Sequence, residues 1–297
     1  MVDQQKERVL IVDDQDALRA MLARMVERAG FEPIEAKDGE EAIERFTTFA
    51  PIVVVSDITM PRMDGLALLE RIKKIDRGAA VILMTGLGNE EVLLQALRGG
   101  ATNFFKKPFN VSELIQEIRA VAEYRHEAAR ATFSTPFLEE ETKRFRIPTG
   151  DDVYLPLINQ VTLQLPSILP EEEILNLKVG IEEMIVNAVE HGNLGINFAE
   201  KAEAIEAGTL RELLSERLRG EGAARVVTIA SRLTRERFEI TIGDEGEGFD
   251  WQALPGVEAG NLLAFNGRGI FLTKIYFDEV RYNQRGNEVT LVKRRMI

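Results

Sequence analysis

An acid, an amide and an imidazole recur at every fourth residue in one segment of this 297-residue sequence. Glu183, Asn187 and His191 are spaced i, i+4 and i+8, so they lie on one face of a helix. A second face, roughly 120° around the helix axis, is apolar and consists of Ile174, Leu177, Ile181, Ile185 and Ala188. Such a helix can pack through one face and meet a ligand with the other. Taken alone, the pattern favours an ordinary core helix with a solvated polar side.

Three carboxylates form a second candidate site near the start of the chain. Asp13 and Asp14 end a short apolar run and Asp57 ends another, and the carboxyl ends of parallel strands meet at one edge of a sheet. Three carboxylates so close repel one another by about 1 kcal/mol per pair in water and about 4 kcal/mol at an effective dielectric of 20. A divalent cation relieves this repulsion, and hard oxygen ligands favour magnesium. Thr85 and Lys107 follow the next two runs, and five polar residues at corresponding strand ends are hard to explain as turn residues.

Alternating strands and helices must position these groups. Short apolar runs alternate with amphipathic segments, which predicts a doubly wound parallel α/β sheet over residues 1–124, with Asp57 at the end of its third strand. The predicted strands include 9–12, 53–56, 81–84 and 103–105, and the predicted helices are 17–29, 40–49, 66–75, 90–98 and 111–124.

This first segment resembles the response-regulator receiver domain over its whole length. Residues 60–65 match the loop after the phosphate acceptor, and residues 107–109 match a loop whose lysine-proline bond is usually cis. The resemblance implies a phosphate donor upstream, either a sensor histidine kinase or a phosphotransfer protein. It assigns magnesium to Asp13, Asp14 and Asp57, the phosphate acceptor to Asp57, the switch to Thr85 and Phe104, and the phosphate contact to Lys107.

Residues 125–141 are predicted to form a helical extension followed by a linker. The segment contains Ser134-Thr135-Pro136 and three consecutive glutamates, which favour a break between domains. His126 is followed by an acid, as is the phosphoacceptor of histidine kinases. However, the arginine-threonine-proline sequence expected to follow is missing, and no second long helix follows to build a four-helix dimerisation domain.

Mixed helices and strands are predicted over residues 142–297. Asp244 follows a half-buried strand, and its carboxylate can accept a hydrogen bond from an adenine amino group. Gly246 and Gly248 allow backbone to approach a nucleotide, and the backbone amides of a glycine-rich helix start, at residues 267–269, suit phosphate oxygens. The predicted strands are 144–147, 226–233 and 238–242 with a final hairpin at 278–293, and the predicted helices are 152–165, 171–190 and an apolar run after residue 269.

The order of these motifs resembles the GHKL ATP-binding fold, an α/β sandwich also called the Bergerat fold, in the version found in anti-sigma-factor serine kinases. The resemblance covers about residues 142–297 and implies ATP and Mg²⁺ as ligands. It assigns magnesium to Asn187, the orientation or deprotonation of the attacking hydroxyl to Glu183, adenine to Asp244, the phosphates to Gly246, Gly248, Gly267 and Gly269, and neighbouring positions to His191 and Arg268.

Residues 194–224 depart from this family pattern. They form a charged, helical insertion with an amphipathic face of Leu210, Leu213, Leu214 and Leu218. A helical pair packed at the sheet edge and a partner-docking surface explain this insertion equally well.

Composition excludes several classes of function. The net charge of −12 without clustered basic residues argues against a nucleic-acid partner. The absence of cysteine excludes disulfides and thiol nucleophiles, and two histidines do not support a structural zinc site. We find neither an apolar export segment nor a run of the ~20 apolar residues that a membrane helix requires, so we expect a cytoplasmic protein without a membrane partner.

These observations predict a two-component signalling protein in which Asp57 phosphorylation regulates an ATP-dependent serine or threonine kinase. The expected substrate is an anti-sigma-antagonist protein, and the expected assembly is a homodimer. Two alternatives are an ATP-dependent partner-switching module that binds a sigma factor or its regulator without kinase turnover, and an atypical histidine kinase fused to a receiver. The sequence does not determine whether phosphorylation activates or inhibits.

Overall fold

The chain folds into two compact units, Met1–His126 and Glu127–Ile297, each with its own apolar core. The structure is a computed structural model that describes residues 6–86, 90–130, 138–150, 153–251 and 268–295. None of the helices within these ranges is both long enough and apolar enough to cross a membrane.

The first unit contains a parallel sheet, as the alternating pattern predicts, and its five strands lie in the order β2-β1-β3-β4-β5. Its central strands are buried almost throughout, which is typical of parallel sheets covered by helices on both faces. Its elements are β1 (Arg8–Val12), α1 (Asp16–Arg28), β2 (Glu32–Ala36), α2 (Gly39–Phe49), β3 (Val53–Asp57), α3 (Gly65–Ile75), β4 (Ala80–Thr85), α4 (Glu90–Arg98), β5 (Asn103–Lys106) and α5 (Val111–Arg130).

Helix α5 continues past residue 124 to Arg130, in the part of the chain where the sequence predicts a helical extension. Tyr124 is almost fully buried, and the Arg125 guanidinium lies 3.4 Å from an Asp76 carboxylate oxygen, so this turn belongs to the body of the first unit. The predicted linker lies partly outside the described residues, at 131–137. The last two residues of the predicted linker, Glu140 and Glu141, are wrongly assigned because they begin the next strand. The Glu140 carboxylate forms an ion pair with Arg232 of the neighbouring strand.

The second unit combines an antiparallel sheet, in the order β6-β7-β8-β10-β9, with helices. Its π-helical turn Ala188–Asn193 follows α7 directly, and short 3₁₀ turns occur at Leu165–Ser167 and Glu221–Ala224. Its elements are β6 (Glu140–Pro148), α6 (Tyr154–Thr162), α7 (Glu171–Asn187), α8 (Phe198–Ala207), α9 (Leu210–Arg217), β7 (Val226–Thr234), β8 (Arg237–Gly243), α10 (Arg268–Tyr276), β9 (Glu279–Tyr282) and β10 (Glu288–Arg294).

Helix α7 packs into the core through its predicted apolar stripe. Leu177, Ile181 and Ile185 are fully buried, as are Phe238 and Ile240 of β8. Removing each such side chain from water contributes roughly 1.5–3 kcal/mol, so this face anchors the helix while the polar stripe stays available. The α-helical part ends earlier than predicted, at Asn187. In the next turn the backbone N–H groups bond to carbonyl oxygens five residues earlier, as Leu194 N–H does to Val189 O at 2.9 Å.

The insertion consists mainly of α8 and α9. Helix α9 contains no buried residue, so the predicted leucine face is only partly covered within the second unit. Leu218, just past its end, packs against Gly150.

Candidate functional sites

The three predicted carboxylates of the first unit come together at the carboxyl ends of β1 and β3. Asp13, Asp14 and Asp57 each place a carboxylate oxygen within 4.8 Å of the others. Asp13 is fully buried, Asp57 is 4 % exposed and Asp14 is exposed, so the cluster opens to solvent on one side. An all-oxygen donor set with one open side fits Mg²⁺.

Lys107 supplies the positive charge of this cluster. Its Nζ atom lies 2.8 Å from Asp13 Oδ2 and 3.0 Å from Asp57 Oδ2. The pKa of Asp57 is raised, mainly by burial and also by the Asp13 charge, and the Lys107 hydrogen bond and charge offset this rise only in part. Burial by itself would lower the pKa of Lys107, but its bonds to Asp13 and Asp57 raise it overall, so the lysine stays charged. One lysine leaves net negative charge among three carboxylates, which a divalent cation can neutralise.

The loop between β3 and α3 is held tightly beside Asp57. A Cβ on Gly65 would overlap the Asp57 carbonyl oxygen, so only glycine allows this approach. Met63 is buried in the space left by the missing side chain of Gly39, and Arg62, with a positive φ of 66°, pairs with the buried Asp38 carboxylate. These contacts fix the loop that follows Asp57.

The predicted switch residues occupy buried positions. Thr85 at the end of β4 is 1 % exposed and Phe104 in β5 is 3 % exposed. The Lys107-Pro108 bond is cis, as the resemblance implies. Thr85 therefore lies at the same strand-end edge as Asp57, because Asp57 and Met84 are register partners in neighbouring strands.

A cavity of about 100 Å³ in the second unit brings together four of the residues predicted to bind ATP. Asn187, His191, Asp244 and Gly248 all line it. Its remaining walls are largely apolar or aromatic and include Met184, Phe198, Ile242, Phe249, Ile270, Tyr282 and Val289. A small, mainly apolar cavity with few polar groups suits a flat heterocycle with polar edges.

Asp244 is fixed in this cavity by its backbone and by close contacts. Its N–H donates to Asn287 O at 2.9 Å, and Gly246 N–H donates to its Oδ1 atom at 2.8 Å. A Cβ on Gly192 would overlap the Asp244 carboxylate, and a Cβ on Gly246 would overlap the Gly192 carbonyl oxygen. Glycine is therefore needed at positions 192 and 246, because any larger residue would keep the π-helical turn from approaching the loop that carries Asp244.

The environment of Asp244 raises its pKa to about 6. Burial is the main cause, and the Gly246 N–H and the more distant charges of Arg285 and Arg225 lower the pKa only in part. The carboxylate is thus mostly ionised at neutral pH. It can accept a strong hydrogen bond from an amino group that enters the cavity.

His191 is held in one tautomer by its neighbours. Its Nδ1 atom lies 2.5 Å from the Ile196 carbonyl oxygen, and a carbonyl only accepts, so Nδ1 carries the proton. Burial lowers the pKa of His191, partly offset by this bond, so the ring is neutral at pH 7. Its Nε2 atom is then a hydrogen-bond acceptor.

Glu183 and Asn187 lie at the same side of α7, as their spacing predicts. A Cβ on Gly269 would overlap the Glu183 carboxylate, so Glu183 lies against the first turn of α10. Asn187 is half-buried and lines the cavity, and we find no hydrogen bond from its side chain to the described residues. An amide oxygen that lies beside this cavity and has no partner among the described residues fits a magnesium ligand.

Two predicted positions lie outside the described residues: Gly267 and the side chain of Arg268. Gly248 has a packing role as well as lining the cavity, because its Cα lies against the Arg285 carbonyl oxygen. Sequence reasoning missed the aromatic walls Phe198, Phe249 and Tyr282. Their spacing carries no signal, since they come from three distant segments that only the fold brings together.

Gly192→Ala is expected to weaken ATP binding by roughly 10-fold or more, because the new Cβ must displace the Asp244 carboxylate. Isothermal titration calorimetry of the purified chain measures this. Gly208→Ala is the matched control: it strains a residue at φ 70° and costs about 1 kcal/mol of stability, but nothing lies within 4 Å of the new atom. Equal losses in the two variants would contradict the steric explanation.

The geometry of the first unit defines a doubly wound α/β domain with a cluster of three carboxylates and a lysine-paired aspartate. Residues 9–119 match the model of the response regulator receiver domain. The chain belongs to this family, because it also covers nearly all of several relatives at over 30 % identity.

Three relatives illustrate the match. Chemotaxis protein CheY of Thermotoga maritima is 38 % identical over 116 residues, which are 39 % of this chain and 97 % of that protein. CheY of Bacillus subtilis is 38 % identical over 112 residues, covering 37 % of this chain and 93 % of the relative. Sporulation initiation phosphotransferase F of Bacillus subtilis is 34 % identical over 113 residues, covering 38 % and 91 %.

Residues 151–293 match the model of the histidine kinase-like ATPase domain. The antiparallel sheet and helices of the second unit are consistent with a GHKL-type ATPase. A receiver fused to such a domain indicates two-component signalling, and the second domain implies use of ATP and indicates ATP-dependent kinase activity.

Proposed function

We propose that the second unit is a serine or threonine kinase of the anti-sigma-factor type, controlled by phosphorylation of Asp57. The observation that carries the proposal is the cavity in which Asp244 and Asn187 are both lining residues, with Glu183 one helical turn before Asn187. Asp244 recognises the adenine amino group, and Asn187 holds the magnesium that accompanies the nucleotide. Bound ATP supplies the phosphoryl group.

Glu183 is the residue that we assign to the protein substrate. Its carboxylate lies against Gly269, at the start of α10, where backbone N–H groups suit phosphate oxygens. From this position it orients a serine or threonine hydroxyl and accepts its proton. The proposed substrate is an anti-sigma-antagonist protein, and the proposed phosphate donor to Asp57 is a sensor histidine kinase or a phosphotransfer protein.

The histidine-kinase alternative has less support. His126 lies in α5 and its side chain lies outside the described residues. Only residues 131–139 separate α5 from β6, too few for a second helix as long as α5. A four-helix phosphoacceptor bundle needs such a helix from each protomer.

Glu183→Gln is expected to reduce phosphoryl transfer by about 100-fold or more while leaving ATP affinity within about threefold, because a general base typically contributes 10²–10⁴. The assay follows labelled ATP onto proteins encoded beside this one. Glu182→Gln is the matched control, since it removes the neighbouring carboxylate, which lies off the polar stripe.

Three results would decide against the proposal. Transfer that survives Glu183→Gln would reject its role. ATP binding without transfer to any candidate would favour the partner-switching module. Acid-labile phosphate on His126 would favour the histidine kinase.

A further inference from the structure

The start of the insertion contacts His191, the last residue of the polar stripe, in the π-helical turn after α7. The Ile196 carbonyl oxygen accepts a hydrogen bond from His191 Nδ1–H, and the centroids of the Phe198 and His191 rings lie 4.1 Å apart, with an interplanar angle of 49°. Both residues belong to the segment in which the sequence departs from the family pattern. This part of the insertion therefore lies at the candidate nucleotide site.

Several bonds fix this segment to the π-helical turn. Ile196 N–H donates to Glu190 O at 2.9 Å, and Lys201 Nζ lies 2.6 Å from a Glu190 carboxylate oxygen. The Asn197 side chain caps α8 by accepting the Glu200 N–H at 2.9 Å. Phe198, the first residue of α8, is thus held in a defined position.

Phe198 offers chemistry that the predicted site lacked. Its half-buried ring lines the cavity that also contains Asp244 and Asn187. A flat apolar ring beside a hydrogen-bonding carboxylate matches a purine, which has π faces and a polar edge. Stacking on an aromatic side chain is a common way for proteins to hold a base.

We propose that the insertion is part of the nucleotide site and that Phe198 is a nucleotide-binding residue whose ring packs on the purine. This inference rests on the proposed ATP-binding function and adds a residue to it. It also gives the first helix of the insertion a role that differs from both earlier explanations: α8 completes the ligand site.

The test is calorimetric binding of magnesium-ATP to the full chain. Phe198→Ala is expected to weaken binding about 5- to 150-fold, the range for losing a base-aromatic stack. Phe198→Tyr keeps the ring and should stay within about threefold of the unmodified protein. Leu214→Ala is the matched control, because Leu214 is a half-buried apolar residue of the same insertion but does not line the cavity.

A second ligand separates base recognition from general damage. Inorganic tripolyphosphate has no base, so its affinity, measured by competition with ATP, should be the same in Phe198→Ala and in the unmodified protein. If the alanine variant unfolds, Phe198→Leu keeps apolar bulk without a flat face and is expected to show the same selective loss.

Unchanged ATP affinity in a folded Phe198 variant would overturn the proposal, as would equal losses for ATP and tripolyphosphate. An unmodified protein that binds no ATP would overturn both this inference and the kinase proposal. ATP binding that depends on Phe198, without phosphoryl transfer to any protein, would reject only the kinase activity.

Discussion

Asp57→Ala is expected to abolish phosphorylation of the receiver. Asp57 is the one cluster residue that both contacts Lys107, at 3.0 Å, and retains slight solvent access, since Asp13 is fully buried and Asp14 forms no ion pair with the described residues. Labelling with a small phosphodonor in the presence of Mg²⁺ should fall to background. Chelation of the metal should have the same effect on the unmodified protein, because the three carboxylates then repel the incoming phosphate.

Asp64→Asn is the matched control for this experiment. Asp64 is a nearby carboxylate that caps α3 by accepting the Ala67 N–H at 2.8 Å, and asparagine caps equally well. It should be labelled normally. Labelling that survives Asp57→Ala, or that ignores the chelator, would show that the acceptor lies elsewhere.

Asp57→Ala and Asp64→Asn also test whether phosphorylation of the receiver controls the proposed kinase activity of the second unit. Phosphate adds about −1.5 to −2 charges at this crowded site. A coupling free energy of about 1–3 kcal/mol would change the rate of transfer to the partner about 5- to 150-fold. Equal rates before and after phosphorylation would show that the receiver does not regulate the second unit.

Asp244→Asn is expected to reduce ATP affinity by about 100-fold or more. The change replaces a charged acceptor with an amide whose NH₂ group opposes the adenine amino group, and a mismatched buried donor is strongly rejected. Asparagine has the same shape, so Gly192 and Gly246 keep their contacts. Calorimetry with magnesium-ATP measures the loss, and unchanged affinity would remove Asp244 from the site.

The same substitution is expected to stabilise the folded protein above pH 6. The folded-state pKa of Asp244 is raised from 3.8 to about 6, so the folded state binds this proton more tightly than the unfolded state. That contribution favours folding below pH 3.8 and is lost as the pH rises to about 6. A shift of about two pKa units corresponds to about 3 kcal/mol, which partial solvent exposure reduces to roughly 1–2 kcal/mol.

Thermal unfolding measured from pH 4 to pH 8 tests this expectation. The difference in unfolding free energy between Asp244→Asn and the unmodified protein should be near zero at pH 4 and reach a plateau above pH 6. A variant that is less stable at pH 7.5 would show that the carboxylate forms a favourable interaction that its surroundings do not reveal. Reduced ATP affinity together with increased stability would mark Asp244 as a residue kept for binding.

The strands with buried faces were predictable because their sequences are continuous apolar runs. Strand β2 was not, since Glu32–Ala36 contains a proline and two glutamates. It forms because β1 offers a free edge, with Leu10 and Ile34 as register partners, and an edge strand tolerates proline. Tertiary pairing, rather than local sequence preference, creates this strand.

The polar residues that line the candidate nucleotide site were predictable from helical spacing and from the strand end at Asp244. The aromatic wall was not, because Phe198 lies in the insertion and Tyr282 lies in a strand 84 residues further along the chain. The π-helical turn also has no local signal. It follows from packing, since the Gly192 backbone must reach both Asp244 and Gly246.

Trp251 is the single tryptophan of the chain and stacks on Tyr282, a cavity residue, with ring centroids 6.0 Å apart. The fluorescence of the Trp251 indole is expected to change when a ligand binds beside Tyr282. Its fluorescence should therefore respond to ligands of the second unit alone, in unlabelled protein, while events at Asp57 remain optically silent unless they alter the cavity itself. Trp251 is thus an intrinsic probe of coupling between the two units. A fluorescence change after phosphorylation of Asp57 would indicate that the units communicate, and no change would indicate two independent activities in one chain.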